Sequence, residues 1–246
     1  MSVGPGERGD ASEATASSAS SAAGSVGEQG GAGSASRQTA FELTGPARTD
    51  SASASFERGR DYVVARLVSI VLHPFAVFLL LTLLGISKSA PQALAHALIG
   101  VGAAIAATWL FVLQRKHSGR WGTVDASDRR ERPLLYLVLL AVLALCWWWM
   151  RGLSGALSTG IVAVAAMLLV AAALNVWIKL SLHMASLAFA AVSLSALSWP
   201  WACAATVLLP VLGWARLRMA RHSAAEVVGG TVLGALAGFA LRAVAG

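Results

Sequence analysis

A chain of 246 residues, 57% of them hydrophobic and 13% charged, with a mean hydropathy of +0.67, is too apolar for a water-soluble domain. The net charge of +7 would point a soluble protein toward nucleic acid. Here the basic residues lie in short stretches between apolar segments, which sets nucleic acid aside in favour of membrane lipid, a phosphate substrate or topology signals.

Residues 1–60 form a Ser/Ala/Gly-rich tract with few large apolar side chains. Such a tract buries too little surface to offset its conformational entropy, so a disordered tail is expected, followed by a membrane domain over 61–246. The tract lacks the apolar core of a signal peptide, and Glu7, Asp10, Glu13 and Glu28 argue against a transit peptide.

A first span, Val63 to Ile86, is long enough for a bilayer core, which takes roughly 20 residues. It contains His73-Pro74, where the proline is expected to kink the helix and the histidine fits a packing role at least as well as a functional one. A second span runs from Gln92 to Leu113, with His96 at an interface. The polar loop 114–132 follows, carrying Arg115, Lys116, Arg120, Asp125, Asp128, Arg129, Arg130, Glu131 and Arg132. A third span, Leu134 to Met150, ends in Trp147-Trp148-Trp149, side chains that favour the headgroup level. Both cysteines, Cys146 and Cys203, fall inside apolar segments without metal-ligand spacing, and no metal or other cofactor is expected.

A fourth span, about Ala156 to Trp177, returns the chain to Lys179-Leu180-Ser181-Leu182-His183. The fifth, Met184 to Leu197, turns at Trp199-Pro200-Trp201, and the sixth covers Ala202 to Trp214. The seventh, Ala224 to Val244, carries Gly229, Gly230, Gly234 and Gly238, small residues that let helices pack closely in lipid. The expected fold is an all-α bundle of about 6–7 transmembrane spans. Its topology brings the loop 114–132, the segment 179–183 and the stretch 215–222 to one side.

That side collects two histidines, a serine and a run of arginines. Arginines bind phosphate through paired N–H donors, and two histidines can divide attack on phosphorus from protonation of the leaving oxygen. If Glu226 opens the seventh helix, it shares a face with His222 and can hold its ring.

These residues resemble the motifs of the type-2 phosphatidic acid phosphatase superfamily. The family's third motif, Ser-Arg, five residues, His, three residues, Asp, reads here Ala215-Arg216, His222, Glu226. The second, Pro-Ser-Gly-His, reads Leu180-Ser181-Leu182-His183. The first, Lys, six residues, Arg-Pro, ends in Arg132-Pro133 with Asp125 at the lysine position. The resemblance covers roughly residues 114–240. It implies a lipid phosphate or diphosphate phosphatase with His222 as nucleophile, Glu226 orienting it and His183 as general acid. Arg132, Arg216 and Ser181 would contact phosphate, and Arg129 or Arg130 would replace the absent lysine. Arg218 and Arg221 read as headgroup contacts, and Arg115, Lys116 and Arg120 as a solvated basic loop.

Two other functions compete. Asp125-x-x-Asp128 with nearby arginines is loosely similar to the Asp-rich loop of a Mg²⁺-dependent intramembrane prenyltransferase, although a second such loop is missing. The altered motifs also fit a lipid-binding protein without turnover. Arg58, Arg60, Arg66, Arg115, Lys116 and Arg120 on the motif side outweigh Lys88, Arg151 and Arg242 opposite. Tail and site are therefore expected to face the cytoplasm, from a bacterial inner membrane.

Overall fold

In a bilayer every backbone polar group must be satisfied within the protein, and long runs of Leu, Val and Ala meet that demand as helices. The structure, a computed structural model, describes the backbone of residues 47–119 and 132–245 and the side chains of 59–119 and 132–244. No strand occurs among the described residues. The chain divides into two units, 1–45 and 46–246, and the helices belong to the second.

The helices are α1 (Ala47–Val71), α2 (Pro74–Ser89), α3 (Leu94–His117), α4 (Arg132–Met150), α5 (Gly155–Leu174), α6 (Leu182–Leu197), α7 (Trp199–Arg218) and α8 (Ala224–Ala245), with a 3₁₀ turn at Pro91–Ala93. Helix α1 starts ahead of the tail boundary expected at residue 60; the tail up to 46 lies outside the described residues. Six stretches are long and apolar enough to cross a membrane: Gly59–Ser89, Pro91–His117, Arg132–Met150, Gly155–Leu174, Trp199–Arg218 and Ala224–Val244. The molecule is a polytopic α-helical membrane protein.

Three elements differ from the sequence reading. At His73-Pro74 the helix stops rather than kinks. His73 is extended (φ −65°, ψ 142°), as steric pressure from a following proline requires, and it caps α2 by accepting the Phe75 N–H on Nδ1. Trp199-Pro200-Trp201 does not form a turn but opens α7, with Ser198 as N-cap and Pro200 in the first turn, where its missing N–H costs nothing. Helix α7 therefore runs to Arg218 and carries Arg216 in its last turn.

The third is α6, whose 16 residues reach only about 24 Å, short of the ~30 Å bilayer core. It is buried on nearly every side, from His183 through Leu194, and packs against α2, α7 and α8. In the irregular segment before it, Asn175, Leu180 and Ser181 are buried in protein, whereas Val176 and Trp177 are exposed. Glycines make the α6–α8 contact possible. A Cβ on Gly230 would lie 2.5 Å from the Ser181 carbonyl oxygen, and one on Gly234 would collide with the Ala185 carbonyl. Gly230, Gly234 and Gly238 thus form the small-residue seam that the sequence suggests.

The contacts of the helix ends show that α2, α4, α6 and α8 all begin at one end of the bundle, and that α3, α5 and α7 all finish there. The opposite end is pinned by Lys88 Nζ donating to the Leu197 carbonyl and by Arg242 Nη1 donating to Ser195 Oγ at 2.7 Å. His96 stacks on Trp149 there, ring centroids 4.6 Å apart.

Candidate functional site

The site end is built from local rules of helix termination. Helix α7 closes with the Ala220 N–H donating to the Leu217 carbonyl and the Arg221 N–H donating to the Arg216 carbonyl. This double hydrogen bond forces Ala220 into the left-handed region, φ 51°, where glycine is the usual occupant. Two residues later α8 opens with a capping box. The Glu226 N–H donates to Ser223 Oγ (3.3 Å), and the Ser223 N–H donates to Glu226 Oε2 (3.1 Å). His222 is the residue between these two devices.

Glu226 Oε2 also lies 3.0 Å from His222 Nδ1. A carboxylate oxygen accepts, so Nδ1 carries the hydrogen and Nε2 keeps its lone pair. The expectation that Glu226 holds the ring from one helical turn away matches this geometry, and the same carboxylate closes the cap. The His222 side chain is 2% exposed and that of Glu226 17%. Burial, then the charges of Arg216 and Arg132, then Lys179, push the His222 imidazole down against the opposing Glu226 hydrogen bond, to about 4.

The three expected segments are stitched to one another. Arg132 Nη1, at the start of α4, donates to the Leu180 carbonyl at 3.1 Å. The Ser181 N–H donates to the Glu226 carbonyl at 3.1 Å. Arg216 Nη1 donates to Ser69 Oγ on α1 at 2.9 Å. Arg132 and Arg216 are both buried, and His183, in the first turn of α6, lies within electrostatic reach of Arg132, Arg216, His73 and His222.

These side chains head a cavity of about 1030 Å³ whose wall includes His183, His222, Arg132, Arg216 and Arg221. Four helix N-termini point their partial positive charge toward this end. The helices that finish there carry Arg115, Lys116 and His117 (α3) and Arg216 and Arg218 (α7) in their last turns, offsetting the partial negative charge. An anion at the head of the cavity meets positive potential from helix dipoles and guanidinium groups alike.

Ser181 is placed elsewhere. It is fully buried between α6 and α8, absent from the cavity wall, with its N–H spent on Glu226 and its carbonyl against Gly230. Its Oγ has no hydrogen-bond partner among the described residues. In this arrangement Ser181 joins the start of α6 to α8 and does not line the cavity, where the sequence reading expects it to meet phosphate. Arg129, Arg130, Asp125, Asp128 and Glu131 lie outside the described residues. Among the described residues, no group of three or more His, Cys, Asp and Glu side chains could hold a metal.

Other residues join the site that the sequence reading had set apart. The His73 ring stands edge-on to His183 at a centroid distance of 5.0 Å and stacks with Trp109 at 6.0 Å. Arg66 and Lys116 line the cavity, and Lys179 acts on His222 through its charge. Arg221, read as a headgroup contact, lines the cavity, whereas Arg218 pairs with Asp61 on α1 at 3.2 Å near the surface. The signal for His73 was available: a polar residue placed immediately before proline in the middle of an apolar span.

No family model matches the chain, and no curated protein or solved structure is similar to it.

Proposed function

We propose that this membrane protein hydrolyses a lipid phosphate or diphosphate through a phosphohistidine intermediate. One observation carries the reading: His222, its Nδ1 held by Glu226, meets buried Arg132, Arg216 and His183 at the head of a mainly apolar cavity. An amphiphile with an anionic head and a hydrocarbon tail fits such a space; a soluble phosphate ester would leave the apolar part empty.

In the proposed reaction Arg132 and Arg216 neutralise the phosphate oxygens, and His222 Nε2 attacks phosphorus in line with the ester bond. The P–N bond forms and the P–O bond to the lipid breaks. The departing oxygen takes a proton from His183. Burial first, and then Arg216, His73, His222 and Arg132, hold that ring's proton affinity well below the ordinary value, and the negative charge of the bound phosphate raises it for this step. Water then attacks the phosphohistidine, gives a proton back to His183 and releases phosphate. The Nδ1 hydrogen stays on His222 throughout, fixed by Glu226. Lys116 or Lys179 supplies the cation that the resemblance expects at Asp125. The excess of basic residues at the site end supports a cytoplasmic orientation of the site.

The test is phosphate release by purified protein from prenyl and diacylglycerol phosphates, with and without EDTA. Release that survives EDTA and disappears in His222→Ala, with ³²P-labelled protein trapped from labelled substrate, supports the reading. Transfer of an intact diphosphate only with Mg²⁺ would indicate the prenyltransferase, and binding without release the inactive lipid-binding protein.

A further inference from the structure

The cavity does not end at the histidines. Its wall continues from His183 along the inner faces of α2, α3, α4, α5 and α6 to Ala196, Leu197 and Arg242 at the opposite end of the bundle. His183 and Ala196 are thirteen residues apart on one helix, a rise of about 20 Å that sets the depth of the shaft. Its middle is lined by Phe78, Leu139, Val142, Ile161, Val164 and Phe189. A phosphate group fills only the top of such a space.

From this geometry we infer that the bundle interior is a measuring pocket for the lipid tail, which enters the protein instead of remaining among the bilayer lipids. The occupant is an alkyl or prenyl chain with its phosphate at the His222 end. Carbon–carbon bonds of ~1.5 Å at near-tetrahedral angles advance about 1.25 Å each, so about sixteen carbons span the shaft. Longer chains meet the floor at Ala196 and Leu197. This assignment rests on the phosphatase reading for its headgroup; the tail pocket itself rests on the cavity.

Gly160 gives a way to shorten the pocket without disturbing the fold. It lies in the wall, five residues into α5 from the end opposite the histidines, and a Cβ built there meets nothing within 4 Å. A Phe at this position projects into open cavity rather than into protein. It takes up roughly 5 Å of depth, equivalent to about four carbons.

Two readouts test the inference on the full-length protein in nanodiscs. In the first, alkyl monophosphates of 8 to 20 carbons are compared for phosphate release. Wild type should use chains up to about sixteen carbons and lose at least about tenfold in kcat/KM beyond them. Gly160→Phe should move that limit about four carbons shorter while leaving the 8-carbon substrate unaffected. Gly160→Leu, a smaller plug, should move it less. In the second, a hexadecyl phosphate with a diazirine at about carbon 7 is photolysed and the adducts mapped. Adducts on α5 and α6 wall residues such as Val164 and Phe189, lost with excess unlabelled hexadecyl phosphate, are expected. Adducts confined to lipid-facing residues such as Leu137 and Val207, with a chain-length profile unmoved by Gly160→Phe, would overturn the tail pocket. Interior adducts without any phosphate release would keep the pocket and remove the phosphatase reading instead.

Discussion

The ring of His73 stands edge-on to the ring of His183, centroids 5.0 Å apart and planes at 86°. One histidine caps α2 and the other sits in the first turn of α6, so two helix starts meet in one aromatic contact, with Trp109 on the far side of His73. The contact fixes the ring that is proposed to protonate the leaving oxygen.

His73→Phe keeps the aromatic contact but deletes the Nδ1 acceptor of the Phe75 N–H, and should lower stability by about 1 kcal/mol, the usual worth of an N-cap. His73→Asn restores a capping oxygen and removes the ring. We expect it to hold its melting temperature in detergent while kcat falls roughly tenfold, equivalent to about 1.4 kcal/mol of misplaced barrier. Equal kcat in His73→Asn and wild type would detach His73 from the site.

Loss of the general acid should cost less than loss of the nucleophile. His183→Gln is expected to reduce kcat about 10²- to 10⁴-fold, the range for a positioned acid. His222→Ala should leave no trapped phosphoenzyme. Restoring turnover to His222→Ala with added imidazole would further identify the ring as the attacking group.

The pH profile follows from the surroundings of His222. Burial and the charges of Arg216, Arg132 and Lys179 disfavour its protonated form, so the neutral nucleophile persists as pH falls and is lost only near about 4, not near the ordinary value of about 6.5. Lys179→Gln removes one opposing charge and should shift the acid limb of log kcat/KM to higher pH. The substrate's own ionisation at about pH 6 is common to both proteins and cancels in the comparison. An unmoved limb would show that His222 does not titrate in the observed range.

Ala220 holds a left-handed backbone at φ 51° to make the turn before His222. Ala220→Gly relieves roughly 1–2 kcal/mol of steric cost and adds about 0.5–1 kcal/mol of unfolded-state entropy. The balance favours a small rise in thermal stability, measurable by a dye-based melt in detergent. The opposite sign is expected at the α6–α8 seam. Gly234→Ala drives a methyl against the Ala185 carbonyl, which should destabilise by about 1–3 kcal/mol and displace the α6 start that carries His183.

The all-helical membrane fold and six of the seven expected spans were legible in the sequence, because length and hydropathy are properties of each segment by itself. The pairing of His222 with Glu226 was legible for the same reason, since both sit within one turn of a helix start. The tertiary structure alone decided the rest. It made α6 the short central helix, because the Gly230–Gly234–Gly238 seam admits its backbone against α8, and no local pattern in α6 announces a partner. It turned Ser181 away from the cavity once its N–H bonded the Glu226 carbonyl. It also brought His73 to His183 across 110 residues of chain, a contact that depends on how α2 and α6 lean together. Where a helix begins and which face is apolar are written locally; which helix ends meet around a cavity depends on packing across the whole bundle.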